Sequence, residues 1–286
     1  SFELGRTFET ALDSAEKARS AQIQIRSFEN IKSPQLYCSA FSHPSRIEAE
    51  FAGAGDGIMK AGHEGPEVDK CFGLRIRLPF EAGANSVIDG DPKLINFRYF
   101  FTRKLMFMAH SDAVAVFPGG FGTHDEGFEI LTLMQTGKMP IVPIVMIDRQ
   151  NGHYWETWRR FITNDLLHNG LVSESDFHLI HITYDVDDAV RHINAFYRNF
   201  HSYRWVREKM VIRIHRPLTE ESVQALNSRF DGMLAADRIE QTGALEEEID
   251  DAHLHHMPRI VLTPHKRDFG KIRLLLNAIN ELPARE

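Results

Sequence analysis

Cysteine is nearly absent: the 286-residue chain holds two, Cys38 and Cys71. That scarcity argues against a disulfide framework and for a reducing compartment, so a cytoplasmic location is expected. Long apolar runs are missing as well. None reaches the roughly 18 residues of a membrane span, so no membrane partner is expected. The first stretch, SFELGRTFETALDSAEKARSAQ, is mixed and charged without an apolar core, so no secretion signal is expected. An excess of basic charge is lacking too. Lys and Arg number 33 against 40 Asp and Glu, a net charge of −7. General nucleic-acid binding leans on surplus Lys and Arg, so no nucleic-acid partner is expected, with a local basic patch left open. Internal repeats and low-complexity tracts are absent. What remains is 43% hydrophobic and 26% charged, ordinary for a globular protein. The length allows one large domain, or one domain with an appendage.

The periodicity predicts an amphipathic helix over 4–28, with Leu4, Phe8, Leu12, Ala15, Ala18 and Ile23 near helical spacing. Short strands are predicted at Gln35 to Ala40, Ile47 to Ala52 and Gly73 to Leu78. A helix is expected from Ile58, after the run Gly53-Ala-Gly55-Asp-Gly57. A helix apolar on nearly every side is predicted from Phe97 to His110, then a fully apolar strand from Ala113 to Phe117. Further helices are expected over 125–136, 154–164 and 186–199, alternating with strands over 141–147 and 179–183. Continuously apolar strands alternating with helices imply a parallel sheet covered on both faces, hence an α/β, doubly wound architecture. Near residue 204 the pattern restarts. Strands over 209–215 and 259–263 and helices opening at Thr219 and Asp268 describe a small α+β appendage. The division expected is 1–204 and 205–286. The acidic run Glu246, Glu247, Glu248, Asp250 and Asp251 reads as a solvated face.

Three glycines in five positions leave the strand at Phe117: Pro118-Gly119-Gly120-Phe121-Gly122, with a helix starting near Thr123. Glycine weakens strands and helices, so the cluster signals a tight turn or a close approach of the backbone to something. In open α/β sheets ligands bind beyond the carboxyl ends of the strands. A helix N-terminus there offers free N–H groups and partial positive charge, which suit a phosphate. Thr123-x-x-Glu126 also matches a capping box, in which the two residues serve each other's N–H groups. His124 and Asp125 read as solvated first-turn residues. Arg103 and Lys104 lie on the apolar helix, where a buried cation needs a partner; a phosphate or Glu126 would serve, and snorkelling to solvent is the plain alternative.

Together these residues resemble a known family. PGGFGTHDE, Pro118 to Glu126, is similar to the PGGxGTxxE signature of the Lonely guy (LOG) phosphoribohydrolases, long mislabelled lysine decarboxylases. Arg103-Lys104 stand where the family has an upstream Arg-Lys, 23 positions before Glu126 for the arginine. GAGDGIMKA, Gly53 to Ala61, resembles the family's glycine-rich turn. GLRIRLPFE, Gly73 to Glu81, is similar to a stretch of its longer bacterial members. The resemblance covers roughly residues 35 to 200. It implies a Rossmann-like fold and hydrolysis of the N-glycosidic bond of a nucleoside 5′-monophosphate, AMP or a cytokinin riboside monophosphate, to free base and ribose 5-phosphate. Carried over by position, Arg103 and Glu126 would be catalytic, and Gly119, Gly120, Gly122 and Thr123 would hold the phosphate. Lys104, Gly53, Gly55, Glu81 and Asn85 are candidate substrate contacts. No metal and no cofactor are implied; a homodimer or higher homo-oligomer is, with the Arg-bearing helix near the subunit contact. Only about ten residues separate Cys38 from Glu48, and the segment FSHPSRIEAE is too short for a parallel crossover. Either the first unit is rebuilt, or the residues completing it are absent from this sequence.

Rival readings are a carrier that binds a nucleotide or cofactor without cleaving it, a DNA-processing protein, and a pyridoxal-phosphate decarboxylase using Lys104. Retention of both Arg103 and Glu126 favours the hydrolase, since a carrier needs only the phosphate turn. His253, His255 and His256 lack the spacing of a metal site. Trp155 and Trp158 read as helix-to-sheet packing.

Overall fold

The computed structural model describes residues 38–41, 50–65, 71–78, 83–265 and 268–285. The helix expected over 4–28 lies outside them. The described residues belong to two compact units. The first draws on Ser1–Thr132, Val142–Leu171 and Ile180–Arg191, the second on Leu133–Ile141, Val172–Leu179 and His192–Glu286.

The first unit is built on seven strands: β1 (Cys38–Phe41), β2 (Glu50–Gly53), β3 (Cys71–Ile76), β4 (Leu94–Phe97), β5 (Ala113–Val116), β6 (Ile144–Ile147) and β7 (Ile180–Thr183). Their spatial order is β4-β3-β2-β1-β5-β6-β7. Between them run α1 (Ile58–Glu64), α2 (Phe100–Ala109), α3 (Phe121–Gln135) and α4 (Tyr154–Phe161), and α5 (Val186–Phe196) follows β7. The sheet grows outward both ways from its middle, which is the doubly wound, Rossmann-like arrangement expected. Every residue of AVAV in β5 and IVMI in β6 is buried. A strand covered on both faces has no solvent side, so its residues need no polar alternation.

One strand departs from the parallel pattern. β1 pairs antiparallel with both β2 and β5, while the pairs β2–β3, β3–β4, β5–β6 and β6–β7 are parallel. The short connection explains it: a chain that cannot cross over returns antiparallel beside itself. The first unit is therefore rebuilt. The register has a consequence for the site. Ala40 faces Phe51 on one side and Val114 on the other. Gly53 and Val116, each two residues further on, thus stand level at one edge of the sheet, a single strand apart. Both glycine turns leave from that edge.

Some boundaries moved. The helix expected from Phe97 starts at Phe100, because Leu94–Phe97 forms β4, which pairs with β3. The helix expected from about Thr123 starts at Phe121. It stops as anticipated at Gly137, whose φ of 68° is left-handed. There Gly137 N–H bonds the Met134 carbonyl at 3.0 Å and Lys138 N–H bonds the Leu133 carbonyl at 2.8 Å, a Schellman end. A side chain at 137 would also collide with the Phe269 ring, 2.2 Å from the place of a Cβ.

The second unit carries an antiparallel sheet of β8 (Phe200–Val206), β9 (Lys209–Ile214), β10 (Leu234–Thr242) and β11 (Arg259–Pro264), ordered β10-β11-β9-β8. Two helices belong to it, α6 (Glu220–Phe230) and α7 (Phe269–Glu281). Thr219 and Asp268 cap them, their side chains accepting from Ser222 N–H at 3.2 Å and Lys271 N–H at 3.0 Å. β8 was not legible in the sequence. FHSYRWV is an edge strand of mixed polarity whose interior residues are half-buried.

The acidic run needs a correction. Glu246, Glu247 and Asp250 are exposed, but Glu248 is fully buried. Its carboxylate accepts from Arg259 Nε at 3.0 Å and Arg213 Nη2 at 2.8 Å. Asp251 extends the network to Arg204, 2.7 Å away, and to Arg213. Cations from two strands draw one member of the run inward, which a local charge count does not see. Burial pushes the Glu248 carboxyl up, but the hydrogen bonds from Arg259 and Arg213 outweigh it and hold the pKa below the ordinary carboxylate range.

Candidate active site

The chain leaves β5 through Phe117 and the Pro118–Gly120 turn, then begins α3 at Phe121. The Gly120 carbonyl accepts the first helical bonds, from Thr123 N–H at 3.2 Å and His124 N–H at 3.5 Å. Thr123 therefore lies inside the helix rather than at its cap, and the capping box does not form. Its hydroxyl is buried and meets no hydrogen-bond partner among the described residues. A Cβ on Gly120 would meet none of the described residues, so they leave this side of the turn uncovered.

Glu126, one turn further along α3, points to Arg103 on α2. Arg103 Nη2 donates to Glu126 Oε1 at 2.7 Å, and the two residues are 7% and 3% exposed. The Phe100 and Phe107 rings flank the guanidinium at 5.6 and 5.8 Å. Arg103 Nε and Glu126 Oε2 remain buried without hydrogen-bond partners among the described residues. Buried polar atoms are paired in the great majority of cases, so orphaned ones mark a place needing explanation. Of the four among the described residues, Arg103 Nε, Thr123 Oγ1 and Glu126 Oε2 belong to α2 and the start of α3, and the fourth is Arg75 Nε on β3. Burial raises the Glu126 pKa above the ordinary carboxylate range; the charges of Arg103 and Lys104 oppose this without cancelling it.

Lys104 does not join that buried pair. It reaches the outer face of α3, with Nζ 2.6 Å from Asp125 Oδ1 and 3.6 Å from Glu129 Oε2. Burial lowers its pKa, yet the Asp125 contact prevails and holds it above the usual lysine value. Two adjacent ion pairs thus fasten α2 to α3, one inside and one at the surface. His124 is not the solvated residue expected. It is half-buried, stacks on Tyr154 with ring centres 5.7 Å apart, and bonds the Tyr154 hydroxyl at 2.7 Å.

The first glycine turn is held from within. A Cβ at Gly53 would lie 2.1 Å from the Met59 sulfur, and one at Gly55 2.4 Å from the Met59 methyl. These glycines make room for a side chain of the following helix. Asn85 is buried and fully engaged. Its amide donates to the Gly55 carbonyl at 2.9 Å and to His63 Nδ1 at 3.0 Å, and its oxygen accepts from Val87 N–H at 3.2 Å. Asn85 ties the loop after β3 to the turn. Burial lowers the His63 pKa, consistent with a neutral ring that accepts at Nδ1. Glu81 lies outside the described residues. Trp155 and Trp158 are buried packing residues, and Trp155 Nε1 donates to the Ile147 carbonyl at 3.1 Å. His255 Nε2 lies 2.9 Å from the Glu248 carbonyl.

A doubly wound sheet with two glycine turns at its switch edge, one opening a helix beside a buried Arg–Glu pair, defines a Rossmann-like protein. Residues 54–193 match the family model described as "Possible lysine decarboxylase", which is the family of the LOG proteins. Over those residues the chain is similar to that family. The match begins at Ala54, within the first glycine turn, and takes in Arg103, the second turn and Glu126. Among curated proteins no sequence matches the chain. The similarity suggests an enzyme with a phosphoribohydrolase-type function. Among the described residues no helix is long and apolar enough to cross a membrane.

Proposed function

We propose that the protein hydrolyses the N-glycosidic bond of a nucleoside 5′-monophosphate, AMP or a cytokinin riboside monophosphate, releasing the base and ribose 5-phosphate. The observation that carries this reading is the buried contact of 2.7 Å between Arg103 and Glu126, whose second carboxylate oxygen has no hydrogen-bond partner among the described residues. On this reading Gly119, Gly120, Gly122 and Thr123 hold the phosphate at the start of α3. As the bond to C1′ breaks, positive charge builds on the ribose ring, and the departing base takes up the bonding pair and a proton. The free oxygen of Glu126 would stabilise that charge and orient the water whose oxygen bonds C1′. Arg103 keeps the carboxylate aimed. Anchoring the phosphate supplies binding energy away from the reacting carbon. The nucleotide-binding domain is assigned to residues 1–204, with 205–286 as a small α+β appendage. The cytoplasm is the proposed location on the cysteine count.

The test is free base released from a panel of nucleoside monophosphates, with matched nucleosides as controls. Release from the monophosphates and little from the nucleosides is expected. AMP bound but uncleaved would replace the hydrolase with a carrier. The pH profile adds a second reading. The reaction needs the carboxylate, and burial raises its pKa. The acid limb of kcat/KM should therefore lie above the ordinary glutamate range, with activity lost as pH falls through it; a limb inside that range would remove Glu126 as its source.

We also propose a homodimer or higher homo-oligomer. Phe100, Phe101 and Leu105 on α2 are 49%, 65% and 53% exposed. A chain that leaves such a cluster uncovered commonly covers it with a partner. Light scattering should give at least twice the mass of one chain, and a monomer mass at micromolar concentration would withdraw the proposal.

A further inference from the structure

The Tyr154 hydroxyl is poised against the glycine turn. It donates to the Gly119 carbonyl at 2.6 Å, from the first residue of α4. A carbonyl can only accept, so the single phenol proton goes to Gly119. His124 Nε2, 2.7 Å from the same oxygen, must then be the donor to it. The start of α4 is itself fixed. The buried Asp148 accepts from Tyr154 N–H at 2.9 Å and from Arg149 N–H at 2.8 Å. Gly152 leaves room for that carboxylate, since a Cβ there would lie 2.2 Å from Asp148 Oδ1. Trp155 holds the ring edge-on, with centres 4.7 Å apart. Asp148, the α4 start, Tyr154 and Gly119 thus form one rigid line from the end of β6 to the turn after β5.

The peptide plane carries the argument further. In a trans peptide the carbonyl of one residue and the N–H of the next point in opposite directions. Drawing the Gly119 oxygen toward Tyr154 therefore turns the Gly120 N–H away from it. Gly120 is also the residue whose missing side chain leaves open space. The orphaned Thr123 hydroxyl lies one turn along the helix that follows.

We propose that Tyr154, steadied by His124, is a positioning residue for the phosphate of the substrate: its hydroxyl sets the Gly119–Gly120 peptide so that the Gly120 N–H faces the anion. This rests on the proposed nucleotide site. Tyr154 acts through the Gly119–Gly120 peptide, so its loss should weaken phosphate binding and spare the bond-breaking step.

The test is Tyr154→Phe, which removes one oxygen and keeps the ring. Ribose 5-phosphate is the probe, titrated calorimetrically, with ribose as control. Its Kd should rise about tenfold, the scale of one hydrogen bond indirectly lost. KM for the nucleotide should rise alike with kcat within about twofold, because uniform binding is what is removed. An unchanged Kd and KM would overturn the proposal, and so would a fall in kcat alone. His124→Phe keeps the stacking and removes the donor. A rise in Kd of about threefold is expected there, from weakening rather than loss of the contact. That variant decides the matter should Tyr154→Phe lower the melting temperature sharply. The two readings separate cleanly. If the wild-type protein binds ribose 5-phosphate but releases no base, the hydrolase reading fails, while a Tyr154-dependent Kd still supports this one.

Discussion

Glu126→Gln is expected to lower base release about a thousandfold while the protein stays folded. The amide keeps the shape and still accepts from Arg103, so the Arg103–Glu126 contact of 2.7 Å survives in outline. What disappears is the negative charge on the oxygen that has no hydrogen-bond partner among the described residues. Charge stabilisation by one preorganised group in a dry site contributes roughly 3–4 kcal/mol to lowering a barrier, which is a factor of about 10² to 10³. Stability should change little, because relief of the buried carboxylate charge is opposed by the loss of Arg103's counter-charge. Because burial raises the Glu126 pKa, the folded protein binds its proton more tightly than the unfolded chain does. Its ionisation therefore costs stability as pH climbs from the ordinary glutamate range through the raised value, and at neutral pH that cost is already present. Removing the charge relieves it. Melting curves and base release measured on the same preparation separate the two effects. Wild-type turnover by the variant would leave Glu126 as a packing partner of Arg103 and nothing more. Arg103→Ala should be the harsher change for folding, since it strands a buried carboxylate.

Glu248→Ala is expected to destabilise the second unit by about 3–5 kcal/mol, the usual cost of breaking a buried ion pair from one side. Arg259 would keep its bonds to the Leu254 and Met257 carbonyls and Arg213 its contact to Asp251, but both would lose their shared carboxylate. Denaturant unfolding of the variant measures the loss, and a change under about 1 kcal/mol would mean that water replaces the carboxylate at little cost. The pH dependence has the opposite sign to that of Glu126. The pKa values of Glu248 and Asp251 are held down in the folded state, so the unfolded chain binds protons more readily. Stability from the network is complete above the ordinary carboxylate range and is lost as pH falls through the lowered values. Glu248→Gln should flatten that acid slope. A variant with the wild-type slope would place the acid sensitivity elsewhere.

Some of this was legible along the chain. The strands AVAV and IVMI read as buried because nothing polar interrupts them, and Gly137 as a helix end because the left-handed backbone there suits glycine. The shortness of FSHPSRIEAE already forbade a parallel crossover. Other features were invisible for a stated reason. Asn85 offered itself as a ligand only by its place after a strand, whereas its amide is spent on Gly55, 30 residues away in sequence. Glu248 read as solvated because its neighbours are acidic, while its partner Arg213 stands 35 positions earlier. Tyr154 carried no signal at all, since its hydroxyl acts on a carbonyl 35 residues back.

The sequence by itself determined the α/β alternation and the two glycine turns, and left Glu126 as one of the partners open to Arg103. Each of those follows from local spacing, or from a motif compact enough to be read in one window. Tertiary structure alone decided that β1 runs antiparallel, that Thr123 lies inside its helix rather than at the cap, and which acids are buried. Hydrogen bonds and ion pairs are made in space, with partners that periodicity cannot choose. Burial then weighs charge against desolvation, which is why it raises the Glu126 pKa while the arginines hold that of Glu248 down.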